Sequence, residues 1–140
     1  MFEIDPAFAP GSQALGELAF SHARLQTDAR WPWIVLIPRV EGARELEDLT
    51  VDQRARLIEE VVAAGAAVRA VGAAVEVAVE KLNVGALGNV TPQLHVHVVG
   101  RRKGDPAWPG PVWGVGTAKA YESERLAAAL AAARASLRLP

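Results

Sequence analysis

Hydrophobic residues follow two contrasting patterns in this chain, and both are typical of β-strands. Residues 33–38 form an unbroken run of β-branched and aromatic side chains that a proline ends, which predicts a central strand buried on both faces. Residues 93–99 alternate between polar and apolar side chains instead, which predicts a strand that buries one face only. Weaker patterns predict strands over residues 21–28 and 81–84.

Apolar residues at helical spacing predict the longest helix of the chain. They are Leu57, Val61, Val62, Ala66, Val68 and Val71. Thr50 and Gln53 have the spacing of a capping box, in which each side chain accepts from the other residue's backbone N–H. Gly65 and Gly72 weaken this helix by about 1 kcal/mol each relative to alanine, and we expect it to end near residues 71–74.

Prolines and glycines divide the rest of the chain. Residues 1–20 predict an entry loop with one helical turn between 15 and 20, and residues 104–116 predict an irregular arm. Residues 75–80 could extend the long helix or begin a strand. The Ala- and Leu-rich residues 121–137 predict a closing helix.

These elements together predict an α+β fold, with a mostly antiparallel sheet, one long central helix and a C-terminal helix. We expect a single domain over residues 1–140. Its core would span about residues 20–103, and the arm and the last helix would occupy residues 104–140.

Composition narrows the classes of protein that this fold could serve. The 140 residues are 51% hydrophobic, enough for one domain with a sizeable core. The 15 basic and 16 acidic residues argue against a protein that coats nucleic acid, which needs a basic excess. The absence of cysteine excludes a disulfide scaffold and a thiol nucleophile. No targeting segment and no membrane-spanning run is visible, so we expect a cytoplasmic protein without membrane partners.

The alternating strand carries the candidate chemistry. Alternation places Gln93, His95 and His97 on one face, spaced ~6.6 Å apart, while the apolar residues between them face the core. A polar row on a well-buried strand is costly unless it binds something. The first interpretation is that the histidines are merely structural. The second is a metal site, which the sequence disfavours because the only other histidine, His22, lies far upstream and cations follow the pair.

The third interpretation is phosphate chemistry. A neutral imidazole is a good nucleophile near pH 7, and a second imidazole beside it can donate to a phosphoryl oxygen. Positive charge follows at the strand's end, where Arg101 shares the face of the histidines by alternation. The preceding loop, with Gly85, Gly88 and Asn89, offers an accessible backbone to an anion.

The string QLHVHVVGR resembles the signature of the histidine triad (HIT) superfamily, His-φ-His-φ-His-φ-φ with apolar φ, except that Gln93 stands at the first histidine. The loop before it, NVGALGN, is similar to the family's Asn/Gly-rich loop, and IVLIPR over residues 34–39 is similar to a family strand. The resemblance covers about residues 20–103. It implies nucleotide hydrolases and nucleotidyl transferases, which are typically homodimers and need no metal or other cofactor.

The resemblance also implies roles for individual residues. His95 falls on the nucleophile that attacks an α-phosphate and forms a covalent nucleotidyl-histidine. His97 falls on the histidine that contacts the scissile phosphate. Asn83 and Asn89 lie in the phosphate loop, and Asp28 is the candidate for the acidic residue that holds the ribose hydroxyls. The implied partner is a small nucleotide or a dinucleoside polyphosphate.

Two departures from the family pattern leave the activity open. Gln93 can form hydrogen bonds but cannot change protonation near pH 7. Trp33 stands where many members have a histidine, and with Trp113 it is a candidate for stacking on a base or closing the pocket. The sequence therefore predicts either a nucleotide phosphohydrolase or nucleotidyl transferase, or a nucleotide-binding protein of the same fold with weak or no catalysis.

Overall fold

A five-stranded antiparallel sheet and two helices make up the fold. The computed structural model describes residues 1–140. Its strands are β1 (Ser12–Glu17), β2 (Ser21–Gln26), β3 (Trp33–Pro38), β4 (Lys81–Gly85) and β5 (Val96–Arg101), and its helices are α1 (Val51–Ala74) and α2 (Ser123–Leu137). The strands lie in the order β1-β2-β3-β5-β4, and every neighbouring pair is antiparallel. The predicted α+β fold class is confirmed.

Helix α1 begins and ends where its sequence signals predict. The hydroxyl of Thr50 accepts from the backbone N–H of Gln53, and the Gln53 side chain accepts from the N–H of Thr50, which completes the capping box. The buried stripe of α1 packs on β3 and β5, and α2 packs on α1 and β1. Both helices therefore lie on one side of the sheet.

Strand β3 is buried on both faces, as its unbroken apolar run predicts. Ile34 and Leu36 join the large core beneath α1. Trp33, Val35 and Ile37 point the opposite way, and we call this opposite side of the sheet the site face. It is covered by Val112 from the arm and by Phe2, Ile4 and Phe8 from the N-terminal segment.

Two predicted elements differ in the structure. Residues 15–20 do not form a helical turn, because Ser12–Glu17 pair with β2 as an edge strand, with a bulge between Ala14 and Gly16. Gly16 has a φ of 148°, which a helix does not use. Residues 75–80 neither extend α1 nor form a strand.

The strand predicted from residue 93 begins at Val96. The backbone N–H of Leu94 donates to the carbonyl of Ala43 at 3.0 Å instead of joining the ladder with β3. Strand β3 ends at Pro38, which has no N–H to offer. Neither helix is long and apolar enough to cross a membrane.

Candidate active site

Two histidines at the start of β5 form the centre of the site. His95 and His97 lie on the site face, while Leu94, Val96 and Val98 join the core beneath α1. The imidazole centroids of His95 and His97 are 4.9 Å apart, with the ring planes inclined by 73°. The alternation of the sequence thus brings both rings together even though the ladder begins only at Val96.

The protonation pattern of His95 follows from its partner. Its Nδ1 lies 2.7 Å from the backbone carbonyl of Gln93. A carbonyl oxygen only accepts, so Nδ1 carries the proton and Nε2 keeps its lone pair in the neutral ring. Phe8 packs edge-on against the ring with centroids 4.8 Å apart, and His95 is only 7% exposed. The imidazole is therefore held in one orientation with Nε2 free.

His97 has the opposite pattern. The indole N–H of Trp33 donates to Nδ1 of His97 at 3.0 Å. An indole only donates, so Nδ1 of His97 is the bare acceptor and the proton of the neutral ring lies on Nε2. Burial, and then repulsion by the charge of His95, lower the pKa of His97 to about 4. The ring is therefore neutral near pH 7.

A second tryptophan completes the wall around His97. Trp113, from the arm, packs edge-on against His97 with centroids 5.3 Å apart and against Trp33 at 6.2 Å. Gly85 is paired with His97 across β4 and β5. A Cβ at Gly85 would lie 3.1 Å from the Trp113 ring, so the missing side chain lets the indole approach the sheet.

The paired histidines lie between two cavities. One, of about 390 Å³, is lined by His95 together with Gly88 and the exposed Arg44. The other, of about 460 Å³, is lined by Trp33 and Trp113 and by residues 26–28 and 112–116. His97 touches His95 on one side and the two tryptophans on the other. A ligand that passes over His97 could therefore occupy both cavities.

The family follows from comparison with known proteins. A family model described as "HIT domain" matches residues 10–104, which include β1 through β5. The chain belongs to the histidine triad (HIT) family. None of the curated proteins compared with it matches.

Solved structures of HIT proteins are similar over nearly the whole chain. A histidine triad protein from Sinorhizobium meliloti is 38% identical, with 97% of each chain covered and a TM-score of 0.87. A histidine triad protein from Marinobacter aquaeolei is 38% identical, with a TM-score of 0.89. The match covers 99% of this chain and 97% of the Marinobacter chain. One from Bradyrhizobium japonicum is 34% identical, with coverages of 97% and 98% and a TM-score of 0.89.

The first position of the HIT signature in this chain binds the N-terminal segment. The side-chain amide of Gln93 accepts from the N–H of Asp5 and donates to the carbonyl of Glu3, both at 2.8 Å. Only the backbone carbonyl of Gln93 contacts His95. The glutamine thus fastens the segment whose Phe8 packs on His95, a role that the alternation of the strand does not indicate.

Asp28 lines the tryptophan-walled cavity, but its carboxylate is already bound. Arg30 donates to both carboxylate oxygens, with Nη2 to Oδ2 at 2.8 Å, and the backbone N–H groups of Arg30 and Lys119 also donate. Burial works against ionisation, yet these hydrogen bonds hold the pKa of Asp28 below its ordinary value. Arg30 also donates to the carbonyl of Val115, which ties the loop after β2 to the arm.

The structure does not bring Arg101 to the histidines. Its guanidinium is 1% exposed and bonds both carboxylate oxygens of Asp105, at 2.7 and 3.0 Å, while Nη1 donates to Oδ1 of Asn83 at 2.7 Å. Burial opposes the charge of Asp105, but the Arg101 hydrogen bonds hold its pKa well below the ordinary value. Arg101 and Asn83 therefore belong to one buried network that also underlies the Trp108 ring.

Asn89 lies exposed in the loop between β4 and β5, beside Gly88 of the His95 cavity. No group of three or more His, Cys, Asp or Glu side chains is arranged to hold a metal ion. His22 lies elsewhere on the site face, where it bonds Glu17 and Arg24.

The sequence analysis missed Phe8, Arg30 and Arg44 as residues of the site. Only Phe8 could have been noticed in the sequence, as an aromatic residue within a proline-rich entry segment.

Proposed function

We propose that this HIT protein is a nucleotide phosphohydrolase or nucleotidyl transferase that uses His95 as its nucleophile. The observation that carries the proposal is the hydrogen bond from Nδ1 of His95 to the Gln93 carbonyl. It leaves the lone pair of Nε2 available on a buried, orientationally fixed imidazole beside a cavity large enough for part of a nucleotide.

In the first step, the Nε2 lone pair of His95 attacks the α-phosphorus of the nucleotide. The bond from phosphorus to the leaving group breaks, and its electron pair departs with that group. His95 becomes a positively charged nucleotidyl-imidazolium, which the Gln93 carbonyl stabilises through the Nδ1 proton. His97 presents its Nε2–H to a phosphoryl oxygen, where negative charge gathers in the transition state.

In the second step, water or another acceptor attacks the same phosphorus. The P–N bond breaks, its electron pair returns to Nε2 of His95, and the proton of the attacking water passes to solvent. Gly88 and Asn89 belong to the loop proposed to hold the phosphates beside His95. Trp33 and Trp113 line the second cavity, which is proposed for the nucleoside. The role proposed for Asp28 requires that a ribose displace Arg30, whereas Arg101 and Asn83 act by holding the arm in place.

The alternative function is nucleotide binding with weak or no catalysis. It is favoured by the placement of Gln93, whose side-chain amide is bound to the N-terminal segment and offers no titratable group to the substrate. Binding of AMP measured by calorimetry, with no turnover of any nucleotide and no covalent adduct, would favour it over the enzyme.

Trapping the intermediate tests the enzyme directly. Incubation with a diadenosine polyphosphate, rapid denaturation and mass spectrometry should show an adenylyl group on His95. His95→Ala should lose both the adduct and turnover. His22→Gln is the matched control, because it removes the remaining histidine from outside the pair and should keep the adduct. An adduct of equal yield in His95→Ala would overturn the assignment.

We also propose that the protein is a cytoplasmic homodimer that joins through β4. The other edge strand, β1, is covered by α2, whose Arg134 donates to the carbonyls of Ala14 and Leu15. The outer edge of β4 is open, and an apolar cavity of about 340 Å³ lies between it and α1. Val84 and Val62 line this cavity and are 54% and 64% exposed.

A second copy fits this surface because open strand edges and exposed apolar patches are usually covered by a partner. Sedimentation analysis should give a dimer for the native chain and a monomer for Val84→Glu or Val62→Glu. Val51→Glu, on an exposed valine outside the cavity, should stay dimeric. A monomeric native chain would overturn this part of the proposal.

A further inference from the structure

We infer that Trp33 is a positioning residue that holds His97 as a phosphate-contacting N–H donor and prevents it from protonating a leaving group. The site then favours nucleotides whose leaving group departs as a phosphate over those whose leaving group departs as an amine or alkoxide. This inference rests on the proposed function and specifies its substrate class.

The hydrogen bond between Trp33 and His97 sets the tautomer. The indole N–H points at Nδ1 of His97 from 3.0 Å and has no acceptor capacity. A proton on Nδ1 would face the indole hydrogen and break this bond. The neutral ring of His97 therefore carries its single proton on Nε2, the atom that faces away from Trp33.

A proton donor must be able to give up its proton and remain stable. If neutral His97 gave its Nε2 proton to a leaving group, it would become an imidazolate, which is far too basic to persist near pH 7. Only the imidazolium could act as an acid, and the imidazolium requires the Nδ1 proton that Trp33 excludes. Burial of His97 and the charge of His95 disfavour the imidazolium as well.

No other side chain in contact with His95 or His97 can donate the proton that the leaving group needs. The Gln93 amide is not an acid and is bound to the N-terminal segment. Phe8, Trp33 and Trp113 supply only ring edges and an indole N–H. Arg44, Glu45 and Glu47 line the cavity beside His95, but they are exposed and none of them forms a hydrogen bond with either histidine.

The leaving group must therefore depart as an anion, because nothing protonates it as its bond to phosphorus breaks. In a phosphoanhydride, the P–O bond breaks and the departing phosphate oxygen is stable as an anion. In a phosphoramidate, the nitrogen must gain a proton before or as the P–N bond breaks, because a free amide anion is not a viable product. General acid catalysis is typically worth 10²–10⁴-fold, so its absence separates the two classes.

Two substrates with the same adenylyl half test the substrate class. We expect kcat/KM for diadenosine triphosphate to exceed that for adenosine 5′-phosphoramidate by about 100-fold or more. Trp33→His places a titratable group beside His97 and should reduce this ratio at least about tenfold. A native protein that turns over the phosphoramidate as fast as the anhydride would overturn the inference while leaving the nucleophile assignment intact.

The tautomer can be measured without any turnover. Two-bond ¹H–¹⁵N correlation spectra should show Nδ1 of His97 as the unprotonated nitrogen and Nε2 as the protonated one in the native protein. Trp33→Phe keeps an aromatic side chain but removes the indole N–H, and should release His97 into a mixture of tautomers. A protonated Nδ1 in the native protein would overturn the inference. If neither substrate yields an adduct, the proposed function fails, and these spectra alone decide the role of Trp33.

Discussion

His95 and His97, with ring centroids 4.9 Å apart, carry their protons on opposite nitrogens. The Gln93 carbonyl places the proton of His95 on Nδ1, and the Trp33 indole places that of His97 on Nε2. One ring thus offers a lone pair and its neighbour offers an N–H. The proposed attack and the proposed contact with the phosphate need this pairing, which the backbone just before β5 and a side chain of β3 set.

Acidification should destabilise the protein through His97. Its pKa of about 4 in the folded state lies below the ordinary value of 6.5, because of burial and then the charge of His95. Between these two values the unfolded chain binds a proton that the folded chain does not, so the free energy of unfolding falls as the pH falls. A shift of this size corresponds to about 3 kcal/mol, reached below about pH 4.

Urea unfolding at a series of pH values between 6.5 and 4 measures this loss. His97→Gln removes the titrating group and should flatten the profile in this window. Asp28 and Asp105, whose pKa values are lowered, lose most of their stabilisation below the ordinary value of 3.8, so they contribute only at the acidic end of this window. An equal slope in the His97→Gln variant would contradict the assignment.

Removal of the Gln93 amide should loosen the N-terminal segment without removing the carbonyl that orients His95. Gln93→Met keeps the length of the side chain and loses two hydrogen bonds to the backbone of Glu3 and Asp5. We expect the free energy of unfolding to fall by about 1–3 kcal/mol and the backbone amide of Asp5 to exchange faster. Unchanged exchange at Asp5 would show that the other contacts of the segment, such as the packing of Phe2, Ile4 and Phe8, are enough to hold it.

The buried pair of Arg101 and Asp105 should be intolerant of single substitutions. Asp105→Asn leaves a buried guanidinium with a neutral partner and should cost about 3–5 kcal/mol in the free energy of unfolding. The double variant Arg101→Met, Asp105→Asn removes both charges, keeps a side-chain oxygen for the backbone N–H groups of Ala107 and Trp108, and should recover part of that loss. A double variant as unstable as the single one would show that the hydrogen bond to Asn83 matters more than the charge balance.

Two glycines of α1 should respond differently to alanine. A Cβ at Gly72 would lie 2.6 Å from the Val77 carbonyl and 2.7 Å from Val79, so Gly72→Ala should cost about 1–3 kcal/mol despite the better helix propensity. A Cβ at Gly65 would meet only the end of the Leu82 side chain, at 2.8 Å. Gly65→Ala should therefore be close to neutral. Thermal unfolding of the two variants gives the comparison.

Local patterns predict most of the fold because they act within a few residues. The Thr50–Gln53 capping box starts α1, and the alternation from Leu94 to Val98 places His95 and His97 on one face. Strand β1 could not be predicted from its own local pattern, because its backbone hydrogen bonds are made with a different segment, β2.

The site was harder to predict from sequence, because contacts distant in the chain decide what each polar group does. The side chain of Gln93 bonds residues about 90 positions away, and Arg101 bonds Asn83 and Asp105 instead of facing the histidines. Asp28 lies at the cavity but is bound by Arg30, two residues on. Residue type and alternation along a strand indicate the face on which a side chain lies, but they do not indicate the residue to which it bonds.

The edge-on contacts of Trp33 and Trp113 with His97 give the protein a built-in optical probe. Indole emission responds to the ring beside it and to the water that reaches it. A nucleotide that enters the cavity lined by these tryptophans should therefore change the intrinsic fluorescence without any attached label. Occupancy of the site can then be followed in solution for ligands that are never turned over. The double variant Trp33→Phe, Trp113→Phe leaves only the emission of Trp31 and Trp108 and so identifies the signal of this cavity.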